Sequence, residues 1–304
     1  MKNVLILVLL LSLVTKAQDL RISLWGDNIP NYQEVGEKET PNDAAEIEHY
    51  RLVTNPDISV YLPAKKNSTG QAVLIIPGGG YGAVVYKWEG TDIAKWLNAY
   101  GIAGIVLKYR LPHAKSNIVR DKSPLLDASR AMKMIRANAE KWHIDKNNIG
   151  VMGFSAGGHL ASTLGTHYDR DGNEGLDEID TISSRPDFMV LMYPVITMDE
   201  TFTHMGSRKN LLGENPSQEL IDYYSNEKQV TENTPTTFLV HASDDKVVPV
   251  ENSIRFYESL HKHGVKAEMH IFEYGGHGFA LANGKGYLES WKDLCIDWLR
   301  HLGK

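Results

Sequence analysis

The heptapeptide Gly153-Phe154-Ser155-Ala156-Gly157-Gly158-His159 follows Asn148-Ile149-Gly150-Val151-Met152, which reads as a short buried strand, and runs on into Leu160-Ala161-Ser162-Thr163-Leu164, which reads as helix. A serine in that place sits on a sharp strand-to-helix elbow, with glycines two residues to either side where a side chain would strike neighbouring elements. The helix that follows aims its N-terminal amides at the serine, where negative charge develops during attack on a carbonyl. The bare G-x-S-x-G pattern is otherwise only a turn of small residues. Reading Ser155 as a nucleophile therefore requires partners elsewhere in the chain.

The flanking sequence sets the architecture that must supply them. Ala72-Val73-Leu74-Ile75-Ile76 is apolar throughout, as a strand buried on both faces of a covered parallel sheet must be. Ile58 to Pro63 alternates at period two and reads as an earlier strand. A helix over Trp88 to Tyr100 precedes a buried strand at Ile102 to Leu107. Another helix, with Ser123 at its cap and Pro124 at its first position, carries Leu125, Ala128, Met132, Ile135 and Ala139 on one side. Phe188 to Tyr193, Thr237 to His241 and Ala267 to Phe272 are further strands, and residues 286 to 302 close the chain as a helix. Pro194 to Glu232 reads as a long irregular excursion of the kind that builds a substrate pocket. Strand and helix alternate, which predicts an α/β fold: a mostly parallel central sheet flanked by helices on both faces, with its site at the strands' carboxyl ends. At 304 residues, 42% hydrophobic and 23% charged, with no shift in composition, the chain suits one large domain. That domain is assigned to residues 51–304, behind an extended arm over residues 19–50.

Three segments at predicted strand ends supply the missing partners. Pro77-Gly78-Gly79-Gly80-Tyr81-Gly82 ends the buried strand at Ala72 to Ile76, and its glycines let backbone amides approach a ligand closely. No Gly-Lys-Ser/Thr follows, so a phosphate loop fits less well than half of an oxyanion hole, with the Ala156 amide as the other half. Asp244-Asp245 follow the strand at Thr237 to His241, and His277 lies in the glycine-rich Gly275 to Phe279. Ser, Asp, His is a chain order found in serine hydrolases. In that arrangement the histidine takes the serine proton, and the acid fixes its tautomer and stabilises the imidazolium. His241 and His270 fall within strands and His159 begins the elbow helix, which suits structural roles for all three. No pair of carboxylates can be assigned to flank a glycosidic bond, so glycoside hydrolysis is not expected. Residues 169 to 177 alternate oxygen-bearing side chains, but their glycines are out of register for a calcium loop. No metal and no other cofactor is expected.

Met1-Lys2-Asn3 and the apolar Val4 to Val14 form the charged and hydrophobic regions of an export signal, with small residues around Ala17 for cleavage after residue 18. The run is short for a membrane span, so a secreted or periplasmic mature chain without a membrane anchor is expected. Loss of Lys2 and Lys16 with that segment moves the formal charge from −6 to −8, which disfavours nucleic acid as a partner. Cys295, the single cysteine, lies among Leu294, Ile296 and Trp298 and reads as a small buried hydrophobe.

With these motifs in hand, the chain resembles the α/β-hydrolase superfamily. Within it, the chain is similar to secreted bacterial acetylxylan esterases and the feruloyl-esterase-like branch of the hormone-sensitive-lipase group. The resemblance rests on Pro77-Gly78-Gly79-Gly80-Tyr81, the Ser155 heptapeptide, His241 to Pro249, and Gly275 to Phe279, and it spans nearly all of the chain beyond the export signal. It implies Ser155, Asp245 and His277 as the catalytic set, because Asp245 and not Asp244 stands four residues before Pro249. It implies Gly79, Gly80 and Ala156 for the oxyanion hole, although Pro77 replaces the histidine that opens the usual H-G-G-G. His204-Met205-Gly206-Ser207 and Asn210-Leu211-Leu212-Gly213 resemble a paired motif of the acetylxylan-esterase branch, which makes His204 a substrate contact; Tyr81 and Trp88 join it as aromatic candidates on the sugar side. The activity implied is removal of acetyl or other small acyl groups from plant polysaccharide or its oligosaccharides. The alternatives are a short-chain carboxylesterase, a feruloyl esterase, and a serine peptidase of the prolyl type, whose propeller a chain of this length leaves no room for.

Overall fold

The computed structural model describes residues 20–39, 41–42, 48–170 and 177–302. The export signal, and residues 171–176 of the acidic loop weighed for calcium, lie outside the described residues.

Eight strands form one sheet: β1 (Leu20–Ser23), β2 (Asp57–Tyr61), β3 (Ala72–Ile76), β4 (Ala103–Lys108), β5 (Ile149–Phe154), β6 (Phe188–Met192), β7 (Thr236–Ala242) and β8 (Ala267–Phe272). Their order across the sheet is β1-β2-β4-β3-β5-β6-β7-β8. β2 pairs antiparallel with both β1 and β4, and every other pair is parallel. The apolar runs of β3, β5 and β6 occupy the middle of the sheet and are buried on both sides, as expected for strands that hide both faces from water.

The helices are α1 (Asp92–Ala99), α2 (Lys122–Ala137), α3 (Ala156–His167), α4 (Met205–Leu212), α5 (Gln218–Tyr224), α6 (Glu251–Lys262) and α7 (Trp291–His301). Two glycines show that α1 and α3 cover opposite faces. A Cβ on Gly104 of β4 would stand 2.7 Å from the Ala94 Cα in α1, and one on Gly153 of β5 would stand 2.6 Å from the Ala161 Cβ in α3. Gly104 and Gly150 share Val73 as cross-strand partner and so point to one face; Gly153, three residues beyond Gly150, points to the other. α7 joins the α1 layer, where the Trp96 and Trp291 ring centroids lie 5.2 Å apart.

Sequence order reverses on the two sides of β3, and such a reversal opens a crevice at the carboxyl ends of the strands. The loops carrying Pro77, Ser155, Tyr193, Asp245 and His277 all begin at that end of their strands.

Three local expectations change. Residues 20–23 are an edge strand of the main sheet, and Leu24 and Trp25 are buried behind it, with the Trp25 indole donating to Asp127 at 2.7 Å. This stretch is part of the sheet and core rather than an arm laid over them. The cap position of α2 is Asp121, and Ser123 is inside the first turn, where its hydroxyl accepts from Asn31 at 2.8 Å; a long-range contact claims the oxygen that would otherwise cap. The excursion after Tyr193 contains two short helices, α4 and α5, whose first amides are capped by the side chains of His204 and Ser217. Helices this short carry too few apolar repeats for periodicity to betray them.

Candidate active site

Ser155 turns the chain from β5 into α3 with φ 53° and ψ −119°, a backbone that L-residues adopt only where the surroundings enforce it. Gly157 is part of that enforcement. A Cβ there would meet the Ile76 carbonyl oxygen at 2.1 Å and that of Pro77 at 2.5 Å, so any side chain would push the end of β3 away from the serine.

The structure brings Ser155, His277 and Asp245 together in a line. His277 Nε2 lies 2.8 Å from Ser155 Oγ, and His277 Nδ1 lies 2.6 Å from Asp245 Oδ2. With Nδ1–H donated to the carboxylate, Nε2 is left to accept the serine proton. Asp245 Oδ1 accepts the amides of Val247 and Val248, both at 2.9 Å. His241 Nε2 donates to the Val248 carbonyl at 3.0 Å and approaches Asp245 Oδ2 at 3.3 Å, while its Nδ1 pairs with Ser253 Oγ at 2.8 Å. Burial opposes the charge on Asp245, yet the hydrogen bonds from His241 and His277, the nearby imidazole charge and the Val248 amide outweigh it and hold the carboxyl well below the usual carboxylate range. Asp244 points elsewhere: its Oδ1 accepts the amides of Gly275 at 2.9 Å and Gly276 at 2.8 Å, bracing the loop that carries His277.

Gly79 and Gly80 line the same pocket as Ser155, a cavity of about 370 Å³ whose walls include Trp88, His204 and Val247. Gly79 has φ 124° and a Cβ there would lie 2.3 Å from the Ala83 carbonyl oxygen, so only glycine fits. Ala156 follows Ser155 directly as the first residue of α3. The Gly78 amide is already taken, donating to Glu89 Oε2 at 2.8 Å, and of the three glycines Gly79 and Gly80 are the ones that line the cavity.

Glu89 is the site residue that sequence reading missed. It lies on a π-helical turn, Lys87–Thr91, that leads into α1. Its other oxygen accepts the Tyr193 hydroxyl at 2.8 Å, and that hydroxyl in turn accepts the Ala280 amide at 3.0 Å. One carboxylate thus joins the oxyanion loop, the end of β6 and the histidine loop. Burial pushes its carboxyl above the ordinary value, and the hydrogen bonds from Tyr193 and Gly78 with the nearby His277 draw it part of the way back. The only sequence signal was a glutamate eleven residues after Gly78, a separation without periodic meaning.

Of the three expected sugar-side residues, two line the pocket and one does not. Tyr81 is 1% exposed, and its hydroxyl donates to His159 Nδ1 at 2.8 Å, behind the loop and away from solvent. The φ of 58° at Tyr81 swings the ring inward, which the glycine loop gave no means of foreseeing. His159 donates from Nε2 to the Tyr224 carbonyl at 2.8 Å, and burial lowers its pKa to about 4, so it stays neutral as a core residue. His204 caps α4 through Nδ1, which accepts from Ser207, so its Nε2–H is the donor left for the pocket. Burial, then the proximity of His277, holds it below the usual histidine value and hence neutral. Trp88 is 37% exposed and its indole N–H donates to the Gly278 carbonyl at 2.9 Å. Cys295 is buried, as its apolar neighbours required. Among the described residues no cluster of side chains suits a metal ion, and no helix is long and apolar enough to cross a membrane.

A sheet of this order with a serine elbow and an adjoining histidine and carboxylate defines an α/β-hydrolase. The chain belongs to the BD-FAE family, whose model matches residues 58–260. It is similar to an acetylxylan esterase of Xylanibacter ruminicola, 35% identical over 246 residues that make up 80% of this chain and 47% of the relative. It is also similar to endo-1,4-beta-xylanase B of Butyrivibrio fibrisolvens, 41% identical over 69% of this chain and 33% of the relative. The chain therefore spans half or less of the length of these two proteins. Among solved structures, an acetyl ester-xyloside bifunctional hydrolase from Caldicellulosiruptor lactoaceticus is 40% identical, with a TM-score of 0.79 over 94% of this chain and 97% of that one.

Proposed function

We propose that this protein is an exported serine esterase that removes acetyl groups from plant polysaccharide or its oligosaccharides through an acyl-enzyme on Ser155. The observation that carries the reaction is the 2.8 Å contact between His277 Nε2 and Ser155 Oγ, with Asp245 at 2.6 Å on the far nitrogen. Ser155 Oγ attacks the ester carbonyl as its proton passes to His277 Nε2. The amides of Gly79, Gly80 and Ala156 hold the oxyanion, and the imidazolium rests against ionised Asp245. His277 then protonates the departing sugar hydroxyl, and water repeats the sequence on the acyl-enzyme to release acetate. The glycan reading is supported by the similar protein named acetylxylan esterase and by the similar acetyl ester-xyloside hydrolase structure.

An acetyl group needs only a small recess, so discrimination falls to the alcohol side, where the Nε2–H of neutral His204 can meet a sugar oxygen. His204→Ala is expected to lower kcat/KM for acetate release from acetylated xylo-oligosaccharides about ten-fold. A minimal aryl acetate, which has no sugar to contact, should change far less. Equal losses on both would put His204 among the reacting groups, and a preference for long acyl chains would sink the acetyl reading.

Export is supported by Lys2 ahead of the apolar run Val4 to Val14 and by the small residues near Ala17. The test is the N-terminal sequence of protein recovered outside the cytoplasm from cells expressing the whole chain. It should begin at or near Asp19; an intact Met1 in that fraction would refute the cleavage.

A further inference from the structure

Beside the catalytic pocket lies a second cavity of about 390 Å³, lined by Trp88, Asp92, Lys95, Trp96, Leu281 and Asn283. Its volume falls within the roughly 300–1,000 Å³ of small-molecule sites. Trp88 lines both cavities, so the two meet at its ring. The bond from its indole N–H to the Gly278 carbonyl pins the ring in that place. The opposite wall is held as firmly. Ala280 and Ala282 have φ of 42° and 52°, a backbone costing about 1–3 kcal/mol per residue. This strained turn sets Leu281 and Asn283 facing α1 across the cavity.

We infer that this cavity is a subsite for the sugar residues next to the one that carries the ester, so that a neutral glycan chain passes over Trp88 from one cavity to the other. The inference rests on the esterase reading above and extends it to a substrate of several sugar units. The lining suits a neutral polyol. The indoles of Trp88 and Trp96 offer apolar faces, and Trp96 is steadied edge-on by Trp291 and Tyr100. Asp92 supplies acceptors and Lys95 donors. Asn283 gives its Oδ1 to Lys292 Nζ at 3.0 Å, which leaves its amide N–H groups to donate. A purely apolar ligand would strip water from three polar side chains for nothing in return. An ionic ligand of either sign would lie against one charge of its own kind, Asp92 or Lys95.

The test compares wild type with the double variant Asp92→Ala, Asn283→Ala, measuring acetate release from acetylated xylo-oligosaccharides of increasing length and from an aryl acetate, with Tm as the check on folding. Wild-type kcat/KM should rise with length. The double variant should flatten that rise, losing about ten-fold on the longest oligosaccharide while the acetylated monosaccharide and aryl acetate stay within about two-fold. A wild-type rate independent of length, or a double variant unchanged on the longest substrate, overturns the subsite and leaves the esterase reading intact. An equal loss on the aryl acetate overturns it too, by making the groove a support of the catalytic centre. If wild type cleaves the aryl acetate but no acetylated oligosaccharide, the glycan reading fails and takes the subsite with it.

Discussion

Ser155→Ala or His277→Ala is expected to lower kcat by about four to six orders of magnitude, with KM little changed, because each removes one end of a single proton-transfer unit. The two aspartates should separate sharply. Asp245→Asn puts an amide where an acceptor for Nδ1–H is needed and should cost several orders of magnitude. Asp244→Asn keeps an oxygen for the Gly275 and Gly276 amides and should cost little. Comparable losses at both positions would refute the assignment of the acid. The pH profile follows from the same contacts. A carboxyl whose folded-state pKa is depressed contributes stability above its unfolded pKa and loses it only as pH falls through the folded value. Asp245 therefore stays ionised while ordinary carboxylates titrate. No inflection in kcat/KM from Asp245 is therefore expected where ordinary carboxylates titrate, and one traced to it there would refute its role as the ionised partner of His277.

The second large effect is expected at Glu89. Glu89→Ala strands the Gly78 amide and the Tyr193 hydroxyl in a buried site, at about 1–3 kcal/mol of stability for each group. Glu89→Gln retains one acceptor but presents N–H to a donor. Both variants should lower kcat by about ten- to hundred-fold, below the cost of deleting an oxyanion donor outright, because the amides survive but lose their fixed aim. A purely structural role would lower Tm and leave kcat of the folded protein unchanged. The distinguishing measurement is inhibition by an arylboronic acid, whose tetrahedral adduct with Ser155 needs the oxyanion hole. Its Ki should rise in step with the fall in kcat/KM, and a Ki unchanged in either variant would refute the positioning role. Glu89 thus holds the residue after Pro77 from another part of the chain.

What the chain states locally, its sequence determined alone. Uniformly apolar strands read as buried, and a G-x-S-x-G between such a strand and a helix reads as an elbow, although the role of Ser155 waited on its partners. Alternating strands and helices leave few topologies, so the parallel sheet and its active edge follow from short-range chemistry. Tertiary structure decided whatever depends on direction or distance between separate segments. Tyr81 sits in the right loop yet faces the core, because one positive φ reverses its side chain and His159 waits there to pair with it. Asp244 and Asp245 are neighbours of the same charge; the resemblance singled out Asp245 by its place before Pro249, and the approach of the His277 loop gives that one to the imidazole and the other to the loop backbone. Glu89 carries no periodic or motif signal, since its meaning lies in three elements that meet around it. Residues that act within a turn or strand are encoded where they stand, whereas residues that join elements acquire their roles only when the sheet brings those elements to one edge.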